Sequence, residues 1–349
     1  MKKTLVLLSL ILFSGQAFAH GVYFVPKQDY STGDKPIAMN VVFVEPDSAY
    51  KIGLTFGSDN INKLMRVETL ANNAGAYAAM NASYFKQDTG TPLGLTIIDG
   101  RMMTGPLMNR SVFAIDKHGK CYITKACLDG EINIGNNNSL KIKNINQPIM
   151  SSEGVHMYNR HWGSCTPVTA EGFLHIAIER NKILEISTTP VEIPETGYAV
   201  VVRSALVPCP ICEDTPVKYG YSICPKELCK AEFAFAAGPN LVIDGCKNVD
   251  FAEQNFSAVF ANTRTARSAI GIKQDGTVIL LTVDGRQKGV SEGVTLYEVA
   301  DIMLNLGACQ AMNLDGGSST QMVVEGRMVN VPTNKLGAKV TNAVVVIRK

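Results

Sequence analysis

The sequence predicts a mixed α+β domain built on a large, mainly antiparallel β-sheet system with few helices. Three observations lead there: short apolar runs recur along the chain, Gly, Asn and Asp divide them at short intervals, and helical periodicity is clear in one place. In chain order the strand candidates are AYAAMNA from Ala76, LTIID from Leu95, SVFAID from Ser111, FLHIAIE from Phe173, YAVVV from Tyr198, SAIGI from Ser268, TVILLTVD from Thr277 and NAVVVI from Asn342. Asp275-Gly276 between two of these runs is a hairpin signal, because both residue types tolerate the left-handed backbone that a tight β-turn needs. The helix is TLYEVADIMLNLG. Val299, Ile302, Met303 and Leu306 recur at i, i+3, i+4 and i+7, Thr295 and Glu298 fit a capping box, and Gly307 supplies the stop.

The first residues read as a leader: Lys2 and Lys3, an apolar run from Leu5 to Phe13, then Ala17-Phe18-Ala19. This is the pattern of a secretory signal cleaved after Ala19, and the run is too short for a membrane span, which needs about 20 residues. Residues 20–349 then form a single domain, exported to the periplasm, with secretion a second destination. Removal of Lys2 and Lys3 balances acidic and basic residues, so charge points to neither nucleic acid nor a membrane surface. The expected partner is a small molecule or glycan; the oligomeric state is not legible.

Nine cysteines in an exported chain favour disulfides over zinc. Cys209, Cys212, Cys224 and Cys229 crowd a Pro- and Cys-rich insertion over residues 208–230, Cys121 and Cys127 fit a small loop, and Cys165 and Cys246 pair with each other or with the cluster. Cys309 is expected to be a buried, inert thiol. None of the five histidines has metal-ligand spacing, so neither a catalytic metal nor another cofactor is expected.

Chemistry concentrates near the C-terminus. One strand ends at Asp284-Gly285-Arg286, the helix follows, and the next strand ends at Asp315-Gly316-Gly317-Ser318-Ser319-Thr320. Strand ends can converge on one sheet edge, where glycines let a ligand approach the backbone and leave amides free to hold an anion.

RSAIGI, TVDGR, GVTLYEVADIMLNLGACQAMNLDGGSSTQMV and TNAVVV, in that order, resemble the core of the phosphodiester glycosidase family. Upstream, MNASYF at 80–85, GTPLGLTIIDGRM at 90–102 and AGPNLVIDG at 237–245 extend the resemblance to about residues 77–347. It implies hydrolysis of a sugar-1-phosphodiester to free sugar and a phosphomonoester, in glycan or cell-envelope polysaccharide processing. Ordinary glycosidases use two carboxyl groups around an oxocarbenium-like transition state. A departing phosphomonoester needs less protonation, so cationic and hydrogen-bonding groups take over part of that work.

On that basis Asp315, Glu298 and Asp284 are the carboxylates available as base or nucleophile, with Asp315 favoured at the reacting centre. Arg264, Arg267 and Arg286 offer guanidinium groups, and Gly316, Gly317, Ser318, Ser319 and Thr320 a phosphate cradle, with Asn81, Tyr84 and Asn342 completing the binding set. Each has a plainer role: Asp315-Gly316 as a turn, Glu298 as a helix cap, the arginines as solvated charges, Asn81, Tyr84 and Asn342 as turn, packing or strand residues. Trp162 fits sugar stacking and ordinary packing equally. Ala82 and Ser83 stand where the family has a glycine pair, and Ser318 where it has a third glycine. Two alternatives stay open: a glycan-binding or exopolysaccharide-assembly protein using the same cleft without turnover, and a metal-dependent phosphodiesterase cleaving at phosphorus.

Overall fold

The computed structural model describes residues 17–18, 21–32, 35–57, 61–135, 139–207, 211–334 and 336–349. Most of the expected leader and Cys209 lie outside the described residues. Four sheets of eight, seven, five and five strands carry the chain, and all strand pairs but one are antiparallel; Ser139–Ile145 and Val155–Tyr158 run parallel. Three short α-helices occur among the described residues: α1 (Val67–Asn73), α2 (Ala258–Asn262) and α3 (Leu296–Asn305). The expected α+β label is therefore corrected to a mostly β architecture. Helices act here as covers on sheet faces.

The eight-stranded sheet holds the core. Val278–Val283 is buried along its whole length, which explains its unbroken apolar run: successive side chains point to opposite faces and both faces are covered. Ile279, Leu281 and Val283 pack with α3, through Leu296, Val299, Ala300 and Met303. Val278 and Leu280 pack instead with Met80, Met322, Val344 and Val346 of the second five-stranded sheet, whose own outer face is covered by Val67, Leu70 and Ala71 of α1. The result is a helix, two facing sheets and a helix, with each buried large aliphatic side chain worth roughly 1.5–3 kcal/mol.

Local signals behave as read. The Thr295 hydroxyl accepts the Glu298 amide while the Glu298 carboxylate accepts the Thr295 amide, the reciprocal capping box. Gly307, at φ +90, ends α3 in the left-handed region that glycine occupies without strain. Gly276, at φ +87, closes the hairpin joining Arg267–Lys273 to Val278–Val283. The cysteine expectation differs: the Cys-rich stretch contributes Val217–Cys224 as an edge strand on Cys127–Ile134, with Cys127 opposite Cys224, and the cysteines among the described residues, Cys121, Cys127, Cys165 and Cys246 included, are free thiols. Trp162 is 9% exposed and packs edge-on against Tyr158 in a secondary core, which is the packing reading of that residue.

Candidate active site

Three strands of the eight-stranded sheet reach one edge together. Arg267 opens its strand opposite Val283 at the end of the next, and Ala269 pairs with Asn313 at the end of a third. Asn81, at the end of Ala78–Asn81 in the facing sheet, lies beside them. Just behind this edge the core changes character. Val42, Leu280 and Ile270 form an apolar row across neighbouring strands, while Asn40, Thr282 and Ser268 form the next row on the same face.

That polar row supports the Asp315 loop through Asn81. The Ser268 hydroxyl donates to Asn81 Oδ1 at 2.7 Å, the Gln321 amide donates to the same oxygen at 3.1 Å, and Asn81 Nδ2 donates to the Asp315 carbonyl at 2.6 Å. One buried side chain thus ties both ends of residues 315–321. Asp315 N donates to the Ala82 carbonyl, and Asn342 grips Ser83 through its amide (2.9 Å) and hydroxyl (3.1 Å). Ala82 and Ser83 are buried, so these replacements of the glycine pair sit behind the loop as part of its support.

Asp315 is partly exposed on this platform. Burial by the surrounding protein pushes its carboxyl up to about 6, against smaller opposing effects of hydrogen bonds from the Ser319 hydroxyl and the Gly316 amide. Four amides of the expected cradle are engaged within the protein. Gly316 N donates to Asp315 Oδ1, Gly317 N to the Ala266 carbonyl, Ser319 N to Gly316 O and Thr320 N to Gly317 O, so these donors serve the turn itself. Ser318 is exposed, and the buried Thr265 and Thr320 hydroxyls have no hydrogen-bond partner.

The glycines admit protein where ligand was expected. A Cβ on Gly285 would fall 2.3 Å from Ala266 N, and one on Gly316 would fall 3.0 Å from Ala266 O, so both let the 265–266 segment close on the loop. Gly317 differs: at φ +62 its missing side chain faces Arg286 Nη2 and Thr265 Oγ1, each 3.9 Å from the Cβ position. The exposed Arg286 guanidinium therefore reaches the Asp315 loop.

The other charged candidates are engaged in structure. Asp284 is buried and accepts Asn330 Nδ2 (3.0 Å) and the Val331 amide (3.1 Å), and Asn330 also donates to Thr320 O, so Asp284 braces the loop from below. Glu298 caps α3 with one oxygen and pairs with Arg264 through the other. Arg267 is 1% exposed; its Nη2 donates to the carbonyls of Phe260 (2.7 Å) and Thr263 (3.0 Å). Tyr84 donates to the Gly238 or Leu314 carbonyl (3.0 and 3.1 Å) and accepts from Asn313 at 2.7 Å. Burial, then the Asp315 charge, holds the Tyr84 phenol well above its usual range, so it remains protonated as a donor.

Arg110 was missed from the sequence. Its guanidinium lies 3.7 Å over the Phe256 ring and 5.5 Å from the Tyr84 ring centre; Phe256 stacks on Phe260 at 4.9 Å, and the Arg267 guanidinium lies 4.5 Å from the Phe260 ring centre. Two arginines and two phenylalanines thereby cluster beside Tyr84. The turn that delivers Arg110 carries Met108 at φ +55 and Asn109 at φ +51, a conformation that costs L-residues roughly 1–2 kcal/mol each and that asparagine bears best. The available signal was the Met-Asn-Arg turn ahead of the Ser111 strand, which is weak by itself.

No helix among the described residues is long and apolar enough to cross a membrane. The sequence profile described as phosphodiester glycosidase matches residues 175–347. Bovine N-acetylglucosamine-1-phosphodiester alpha-N-acetylglucosaminidase is 36% identical over 75 residues, 22% of this chain and 14% of that protein. The SPbeta prophage-derived uncharacterized protein YomE of Bacillus subtilis strain 168 is 44% identical over 69 residues, 20% of this chain and 11% of its own. The matched stretches thus span a small part of these relatives. A hypothetical protein from Synechocystis shares the fold across 94% of this chain and 62% of its own, with a TM-score of 0.85 at 22% identity. The zebrafish catalytic domain of the same glucosaminidase, auto-inhibited by its pro-peptide, aligns with 96% of this chain and 85% of its own at a TM-score of 0.54 and 15% identity. Residues 175–347 are thus similar in sequence to the phosphodiester glycosidase family, and the chain shares the fold of the zebrafish domain.

Proposed function

We propose that this protein is an exported hydrolase that cleaves a sugar-1-phosphodiester at the anomeric carbon, releasing free sugar and a phosphomonoester. The observation that carries the reading is Asp315: a partly exposed carboxylate at the convergence of strand ends, clamped through Asn81 and pushed up to about 6. A carboxyl poised near the working pH can take a proton in the reaction and lose it again between turnovers.

In the proposed reaction Asp315 works in its ionised form. Water forms the new bond to the anomeric carbon and passes a proton to Asp315; the bond from that carbon to the bridging oxygen breaks, and its electron pair leaves with the phosphomonoester. A dianion or monoanion of that kind is a good leaving group, so a strong general acid is unnecessary. Arg286 and the Ser318 hydroxyl stand beside Gly317 to stabilise the charge that develops. Asp284, Glu298, Arg264 and Arg267 serve as positioning residues, since each is occupied in holding the loop or the segment that packs on it. Tyr84, Asn81 and Asn342 fix the floor of the cleft.

Periplasmic or secreted glycan phosphodiesters are the substrate class that fits the leader and the family. The test is incubation of the mature chain with a panel of sugar-1-phosphodiesters, with and without EDTA, reading both products by mass spectrometry. Release of free sugar and phosphomonoester, insensitive to chelation and abolished by Asp315→Asn, is expected. Cleavage that EDTA silences would overturn the reading in favour of metal-dependent attack at phosphorus.

A further inference from the structure

Arg110 has no explanation in the strand framework. Its guanidinium is half-buried, its Nε is sealed without a hydrogen-bond partner, and its Nη2 meets only the Met108 sulfur, at 3.5 Å. Among the described residues no carboxylate pairs with it. A ring face partly offsets the loss of water around a cation, but an aromatic quadrupole does not replace a counter-ion, and a desolvated unpaired charge is costly to keep.

The surroundings hold this cation in place. Ser111, the next residue, donates its amide to Gln254 Oε1 at 2.8 Å, while Gln254 Nε2 donates to Ser111 Oγ and Asp250 Oδ1, each at 2.7 Å. That buried network locks the 250–256 loop against the Arg110 strand and sets Phe256 under the guanidinium. The field of the site reaches the same place, because Asp315, Arg110 and Arg267 all act on the Tyr84 phenol. Arg267 spends its hydrogen bonds on carbonyls, whereas among the described residues no oxygen accepts from the Arg110 guanidinium.

We propose that Arg110 contacts the anionic phosphate group of the substrate, with Phe256 and Tyr84 as the wall that aims it. The inference rests on reading the Asp315 cleft as a sugar-phosphodiester site. Arginine suits the task because its planar fork matches two phosphate oxygens at once while its face stays on the ring. The unpaired charge is then neutralised when substrate arrives, and the phosphomonoester product is held by the same group until it leaves.

The probes are inorganic phosphate and methyl phosphate, titrated calorimetrically into the mature full-length chain at low salt. Arg110→Met keeps most of the apolar stem and loses the charge; Arg110→Lys keeps the charge and loses the fork. Saturable binding by the wild type, weakened at least tenfold in Arg110→Met and by less in Arg110→Lys, with unfolding midpoints preserved, is the expected result. Equal affinity in wild type and Arg110→Met overturns the proposal, as does a wild type that binds neither probe. Sugar release, measured in parallel, separates this inference from the hydrolase reading. Arg110-dependent phosphate binding without turnover supports the anion contact while removing the hydrolase, and turnover with a KM indifferent to Arg110→Met removes the contact while leaving the hydrolase.

Discussion

Asp315→Asn makes a demand on stability that is independent of any substrate. The folded protein holds this carboxyl up at about 6 from an ordinary 3.8, so folding favours the protonated form. The sign follows from linkage. Below about pH 3.8 the group is neutral in both folded and unfolded chains and costs nothing, and between 3.8 and 6 the folded state increasingly binds a proton that the unfolded state has lost. Above about 6 the folded state must carry a desolvated carboxylate, so stability falls as pH rises through this window. At 1.36 kcal/mol per tenfold change in proton affinity, the ionised side chain costs roughly 3 kcal/mol at pH 8. Asparagine keeps the shape and accepts the same Gly316 and Ser319 donors without the charge. The variant is therefore expected to gain roughly 3 kcal/mol over the wild type at pH 8 and to match it near pH 3.5. With an unfolding entropy of about 2.1 cal/mol/K per residue, that gain raises the midpoint of a chain this long by about 4 °C. Thermal and urea unfolding of both proteins at the two pH values measures it. An Asn variant no more stable than the wild type at pH 8 would refute the claim that partial burial of the Asp315 carboxylate disfavours the fold.

Four further expectations follow from the same geometry. Turnover of a sugar-1-phosphodiester rises with pH through an apparent ionisation near 6, because the ionised Asp315 acts as base; a falling limb at that pH in a pH–rate profile would reverse its role. Asn81→Ala leaves Gln321 N, Ser268 Oγ and the Asp315 carbonyl without their shared partner, a loss of roughly 2–4 kcal/mol in urea unfolding together with a fall in kcat; unchanged kcat would uncouple the clamp from catalysis. Gly285→Ala drives a Cβ to 2.3 Å from Ala266 N and is expected to destabilise by more than 2 kcal/mol, the cost of displacing backbone, and a near-neutral result would show that the 265–266 segment yields. Gly317→Ala has no such clash; a left-handed alanine costs roughly 1 kcal/mol, and its methyl stands between Arg286 and Thr265, so KM is expected to rise while the fold persists.

What the sequence disclosed depended on range. The α3 cap, its glycine stop and the Asp275-Gly276 turn are local arrangements of a few residues, and each formed where its pattern stood. Strands such as Ser111–Asp116 and Phe173–Glu179 were legible to the residue because apolar runs bounded by turn residues fix their ends. The excess of sheet over helix was under-read: short polar-faced strands such as Cys121–Lys125 and Val217–Cys224 carry no continuous apolar run, and only pairing across long separations makes them strands. Motif order singles out Asp315 and Arg286, but not what their neighbours hold. Glu298 reads identically as cap or catalyst until Arg264 is seen on its other oxygen. The Asp-Gly pairs promised open backbone for a ligand, and only the register of strands distant in sequence reveals that Ala266 fills the space beside Gly285.

The row formed by Asn40, Thr282 and Ser268 shows why such a site is hard to see and yet specific. Each residue is a single polar interruption in a strand that is otherwise apolar, and alone each reads as noise. Register converts them into one line, since Asn40 stands opposite Thr282 and Thr282 opposite Ser268, and the line ends on Asn81 beneath Asp315. Burying polar groups this way disfavours folding unless they are fully satisfied, and among the described residues the Asn40 amide and Thr282 hydroxyl have no hydrogen-bond partner. A fold selected for stability alone would extend the Val42, Leu280 and Ile270 row one residue further. The apolar core stops instead where the Asp315 loop begins, which gives Asn81 a hydroxyl to hold and the loop a fixed floor. The same logic covers Asp315 and Arg110, a carboxyl disfavoured by burial and a cation without a carboxylate partner among the described residues, both acting on Tyr84. Costs of this kind that gather around a single loop are better explained by what the loop must bind than by what the sheet must bury.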